Sequence, residues 1–202
     1  MKHLILLIFA LFSTPLLAQD SLKLPEFPTL GVVVDVPEGD VLNIRAGASG
    51  ASLDLGDLKN GEKIEILARH DEGNWFKVNW QESDAWVSAR FIQIASPKRM
   101  PNSQLPIPMQ CFGTEPFWDL EVTETGILYS DPETELNFQP ILEEAHEFFN
   151  VRTALVQSSD YAALIQYESC SDGMSDRDYG MSISLFRNGS ALGGCCQIVP
   201  VD

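Results

Sequence analysis

Asp71-Glu72-Gly73-Asn74-Trp75-Phe76-Lys77-Val78-Asn79-Trp80, residues 71–80, decides the fold class. Four turn-forming residues run straight into six residues rich in aromatic and β-branched side chains, which is a turn delivering the chain into a strand. Upstream, Lys63-Ile64-Glu65-Ile66-Leu67 and Val41-Leu42-Asn43-Ile44-Arg45 are of the same kind, as is Val32-Val33-Val34. Downstream comes Ala85-Trp86-Val87. Pro37-Glu38-Gly39-Asp40 and Lys59-Asn60-Gly61-Glu62 punctuate them. Asn-Gly between strands is a hairpin signal, because both residues tolerate positive φ. Short strands this closely spaced, with no helical period between them, predict a small barrel or sandwich over 31–94.

The flanks bound that block. Residues 1–18 pass from Lys2 and His3 through an apolar run, Leu4 to Phe12, to Ala18, the pattern of a cleaved export signal and too short for a membrane span. Residues 19–30 read as a linker. Residues 95–110 contain four prolines and no periodicity, so a semi-extended Pro-rich linker is expected there. The remainder, 111–202, also reads as β. From Phe117 to Thr123, Trp118, Leu120 and Val122 alternate with Asp119, Glu121 and Thr123. Further strands are expected at 127–129, 151–157, 161–167 and 181–186, with Asn188-Gly189 as a type I′ hairpin turn. Ile141 to Phe149 is open between helix and strand. The fold class is therefore all-β in two domains, an SH3-like small barrel followed by a second, disulfide-bonded, mainly antiparallel domain.

The first block also carries a resemblance. Leu42-Asn43-Ile44-Arg45-Ala46-Gly47, Leu58 to Gly61, Ile64-Glu65-Ile66-Leu67, Asn74-Trp75-Phe76-Lys77-Val78 and Ala85-Trp86-Val87-Ser88 resemble, in order and spacing, the bacterial SH3 family. One departure is Ala48, where that family usually has Pro. The resemblance implies a small barrel that binds cell-wall peptidoglycan or a protein of the envelope, and it supplies no catalytic residues. An aromatic-lined groove would draw on Trp75, Trp80 and Trp86, with Asn43 and Arg45 at its rim. In the second block, Cys111-Phe112-Gly113-Thr114-Glu115-Pro116-Phe117-Trp118, Cys170-Ser171-Asp172-Gly173-Met174-Ser175-Asp176-Arg177 and Gly193-Gly194-Cys195-Cys196 resemble an uncharacterised family of exported bacterial domains. That resemblance implies no activity.

Charge narrows the partners. Residues 19–100 hold 13 acidic and 9 basic side chains, residues 101–202 hold 16 and 3, a net −13 in the second part. Such a surface repels phosphate backbones, so nucleic acid is not expected as a partner. Four cysteines, Cys111, Cys170, Cys195 and Cys196, in an exported chain predict two disulfides. Neighbouring side chains on a strand point to opposite faces, so Cys195 and Cys196 suit separate bridges to Cys111 and Cys170, with the pairing open. A zinc site with His146 is the alternative, but no C-x-x-C supports it.

No cofactor, metal or catalytic motif is expected. Asp172, Asp176 and Asp178 fail the calcium-loop pattern, and neither a nucleophile elbow nor a zinc-protease helix motif is present. The preferred reading is an exported, periplasmic or secreted, non-catalytic binding protein. A cell-wall hydrolase inhibitor is the second, with the loop around Asp172, Asp176 and Arg177 as its partner-binding projection. A thiol-based or hydrolytic enzyme is the third, resting on Cys195-Cys196 and the many carboxylates.

Overall fold

The structure is a computed structural model that describes residues 27–70, 72–101, 103–142, 146–147 and 152–201. The expected export signal, 1–18, lies outside the described residues, as does most of the 19–30 segment. The first unit contains β1 (Thr29–Val33), β2 (Leu42–Arg45), β3 (Asp54–Leu58), β4 (Lys63–Ile66), β5 (Ala68–Arg69), β6 (Trp75–Trp80), β7 (Ser83–Ser88) and β8 (Ile92–Ala95). A 3-10 turn, Ala89–Phe91, separates the last two. A sheet ordered β3-β2-β7-β6-β5 faces a smaller one ordered β4-β1-β8. Alternation explains the packing: Phe76 and Val78 of β6 and Ala85 and Val87 of β7 point inward, where they meet Val33, Ile44, Ile66 and Ile92. The intervening residues form an outer face.

The second unit contains β9 (Met109–Thr114), β10 (Phe117–Val122), β11 (Gly126–Asp131), β12 (Thr134–Pro140), β13 (His146–Glu147), β14 (Thr153–Gln157), β15 (Tyr161–Gln166), β16 (Met181–Arg187) and β17 (Ser190–Ile198). They form one antiparallel sheet ordered β12-β11-β10-β9-β17-β16-β15-β14-β13. The sheet curls back on itself. Tyr129 of β11 stacks on Tyr161 of β15 with ring centroids 5.1 Å apart, although four strands separate them along the ladder. Gln139 of β12 likewise donates to Asp160 in the β14–β15 turn. Inside lies one core containing Trp118, Leu120, Val122, Ile165, Met181 and Leu185. Trp118 lies across Gly113 and Gly194: a Cβ at Gly113 would stand 2.1 Å from its indole nitrogen, and one at Gly194 2.8 Å from its ring. The glycines of two sequence signatures thus make room for the aromatic of the first.

Several expectations need correction. Thr29 and Leu30, assigned to the first linker, belong to β1, paired with both β4 and β8. The 95–110 segment is no tether. It folds back as a small hairpin, with Ile107 donating to the Lys98 carbonyl and Met100 to that of Leu105, and it buries Met100, Leu105 and Ile107 in the second core. The second ladder begins at Met109 rather than Cys111. Leu30 of β1 reaches the same core, so the two units share apolar packing. Asn60-Gly61 is a turn, with Gly61 at φ 89°, but the strands it joins lie in different sheets. Asn188-Gly189 is the expected hairpin, both at positive φ between β16 and β17. In the ambiguous 141–149 stretch, His146–Glu147 is strand; 143–145 and 148–149 lie outside the described residues.

Candidate functional site

Pairing register builds the outer face of the barrel. Lys77 stands opposite Trp86, Trp75 opposite Ser88, and Arg45 opposite Trp86 on the other side. Trp75, Lys77, Asn79, Asp84, Trp86, Asn43 and Arg45 therefore share one surface. Asn43 and Arg45 support each other: the guanidinium donates to Asn43 Oδ1 at 3.0 Å and pairs with Asp54 at 3.4 Å, and the Asn43 amide donates to Asp54 at 2.9 Å. Trp75 and Trp86 are both partly exposed. His70, from the turn before Trp75, meets Trp86 edge-on at 5.7 Å.

Trp80 does not join them. It falls on the opposite parity of β6, packs against the barrel core, rests on Gly56 and donates its indole N–H to the Leu55 carbonyl at 3.1 Å. Of the three tryptophans expected to line one groove, only Trp75 and Trp86 share a face.

One end of this face is covered by the second unit. Asp176 lies in a parallel bridge with Ser83, its N–H donating to the Glu82 carbonyl and its carbonyl accepting from Asp84 N–H, both at 3.0 Å. Two residues on, the Asp178 carboxylate reaches Lys77, which also pairs with Asp84 at 2.9 Å. Asn79 donates to the Asp178 carbonyl at 2.7 Å and accepts from its N–H at 3.3 Å. Asp172 faces its own loop, taking the amides of Met174 and Ser175, each at 2.9 Å, and the Ser175 hydroxyl. Arg177 donates to Gln197 and lies over the Tyr179 ring. The segment expected to project as a partner-binding loop is therefore anchored to the barrel through Asp176 and Asp178. Sequence reasoning missed Lys77 and Asn79; the lone Lys inside a strand of aromatics was the available signal.

Deeper in the same interface Glu65 is 9% exposed and accepts from Ile198 N–H at 2.8 Å. Burial pushes its carboxyl up to about 8, against the opposing pull of the Ile198 amide and the Arg177 charge. The loop's root is a disulfide, Cys170 to Cys195, while Cys111 and Cys196 are bonded across the directly paired strands β9 and β17. Among the described residues no cysteine is free. Cys195 and Cys196 thus bond to Cys170 and Cys111 and not to each other. The His146 side chain falls outside the described part of the chain. Between the barrel and the loop runs a polar cleft of about 610 Å³ lined by Ala46, Leu55, Ser83, Asp84, Ser175 and Arg177 among others.

Residues 40–93 match the bacterial SH3 domain family, and this part of the chain is a bacterial SH3 domain. The match covers a little over a quarter of the chain and leaves the second unit without an assigned family. No curated protein and no solved structure matches the chain. No helix among the described residues is long and apolar enough to cross a membrane.

Proposed function

We propose that the chain is an exported, non-catalytic binding protein of the bacterial envelope. Its SH3 barrel engages peptidoglycan or a partner protein through the open end of its outer face, with Trp75 and Trp86 as the contact rings and Asn43 and Arg45 beside them. The observation that carries this reading is the placement of two partly exposed tryptophans beside a braced Arg–Asn pair on a domain of the bacterial SH3 family. Rings with an apolar body and a polar edge, together with Arg, supply much of the binding energy of such patches. The two disulfides suit an oxidising compartment outside the cytoplasm, with the periplasm as the proposed location. A hydrolase inhibitor needs a loop free to enter a cleft, and the anchoring of Asp176 and Asp178 favours the binding reading instead.

Cosedimentation with purified peptidoglycan, in parallel with capture from an envelope extract, tests the reading. The wild-type chain should be retained on one of the two, and a Trp75→Ala/Trp86→Ala variant that keeps its circular dichroism should be lost from it. Equal retention of both proteins would reject the assigned face.

A further inference from the structure

The geometry points to a second binding site, independent of the barrel, for a small monocarboxylate with an apolar body at one end of the curled sheet, held by Arg187. A cavity of about 500 Å³ opens there, lined by Pro116, Phe117, Pro132, Leu192, Tyr129 and Arg187 among others. Its size falls within the usual range for small-molecule sites, and the mouths of curled or closed sheets are a common place for them. Strand parity makes the wall: because Trp118 points into the core at 2% exposure, Phe117 points out at 58%.

The polar groups decide the ligand's chemistry. Asp131 is saturated. Its Oδ2 accepts from Arg187 at 2.7 Å, Tyr129 Oη at 2.9 Å and Thr134 Oγ1 at 3.1 Å, and its Oδ1 takes the amides of Glu133 at 2.9 Å and Thr134 at 2.6 Å. A carboxylate offers about four lone-pair sites, so no acceptor remains for a ligand's donor. Arg187 is the opposite case. One N–H goes to Asp131 and one to Thr134 Oγ1 at 3.2 Å, and the guanidinium lies over the Tyr129 ring, 4.3 Å from its centroid, and 5.7 Å from that of Tyr161. A guanidinium carries five N–H groups, more than its bonds to Asp131, Thr134 and the neighbouring Tyr129 hydroxyl use. Asp131 therefore aims the arginine, and the spare donors call for an acceptor. A carboxylate takes such a fork of N–H groups in bidentate fashion, and the prolines, Phe117 and Leu192 call for an apolar body behind it. Glu133 at the exposed rim and the net −13 of residues 101–202 disfavour dianions such as phosphate esters.

Titration of the isotope-labelled full chain with phenylacetate, phenylacetamide and phenyl phosphate, followed by amide shifts of Glu133, Asn188, Ser190 and Leu192, tests the site. Phenylacetate should move these amides and bind at least about tenfold tighter than its neutral amide, the scale of one charge-assisted bond. Phenyl phosphate should bind no tighter than phenylacetate. Phe117→Ala should weaken acid and amide together. Arg187→Gln should erase the acid–amide difference. Because Arg187 also anchors Asp131, the exposed Ser190→Glu serves as a second variant: it should weaken the acid by repulsion and spare the amide. Acid and amide binding alike, shifts confined elsewhere, or no response to any of the three would overturn the assignment. None of these outcomes bears on the barrel's tryptophans.

Discussion

The two ends of the barrel's outer face are built from the same strands and treated in opposite ways. At one end, Asn79, Ser83 and Asp84 are engaged by the second unit through main-chain pairing and side-chain bonds, and Lys77, directly opposite Trp86 at the boundary, reaches Asp178. At the other, Trp75 and Trp86 stand partly exposed, with His70 and the Arg45–Asn43 pair around them. The groups suit the roles. Directional backbone bonds fix the register of an intramolecular contact, whereas amphipathic rings bind from water at low conformational cost. The face is thereby divided into an end covered by the second unit and an end left partly exposed, the one proposed to bind.

Breaking the covered end at its root should have the largest effect. Replacing Cys170 and Cys195 by Ala removes a bridge of 25-residue separation, and the chain-entropy estimate is roughly 3 kcal/mol. Urea denaturation should show that loss, with faster hydrogen exchange at Asp176 and Asp178, while the Trp75–Trp86 end stays unchanged.

A pH series sharpens the comparison next. Glu65 is pushed to about 8 in the fold, so the folded chain holds its proton more tightly than the unfolded chain does. Its contribution is fully present below about 4.5, declines by roughly 1 kcal/mol per pH unit above that, and is lost once pH passes about 8. Glu65→Gln can still accept from Ile198 and has no proton to lose. It should match wild type near pH 5, exceed it in denaturation midpoint near pH 9, and flatten the profile between. An unchanged wild-type slope in the variant would show that another group governs it.

Smallest of the three is Asp178→Ala. The Lys77–Asp178 pair is substantially exposed on the Asp178 side, Lys77 retains Asp84, and the two backbone bonds to Asn79 remain. A loss of about 1 kcal/mol or less is expected in urea denaturation.

Local patterns were legible and their partners were not. The alternation at Phe117–Val122, the Asn188-Gly189 hairpin and the opposite-facing cysteines followed from period and turn chemistry, which are local. Asn60-Gly61 is a turn as its chemistry requires, but which strands pair across it is a long-range outcome. Prolines in 95–110 argue against an interior ladder and say nothing against burying Met100, Leu105 and Ile107 between them. Asp176 was assigned to a projecting partner-binding loop, because the residues that hold it and Asp178, Ser83, Lys77 and Asn79, are about a hundred residues away. Trp80 was grouped with Trp75 and Trp86 by residue type, whereas strand parity separates them. Arg187 carried one overlooked signal, as one of three basic side chains in 101–202.

The division of the outer face is tested most directly by the four tryptophan indole N–H resonances of the isotope-labelled full chain during titration with solubilised peptidoglycan fragments or the captured partner. The account predicts that the Trp75 and Trp86 indole signals shift together and saturate at one affinity, while those of Trp80, bonded to the Leu55 carbonyl, and Trp118, buried in the second core, stay in place. Saturable binding that leaves Trp75 and Trp86 unmoved, or that moves Trp80 or Trp118 instead, would contradict it.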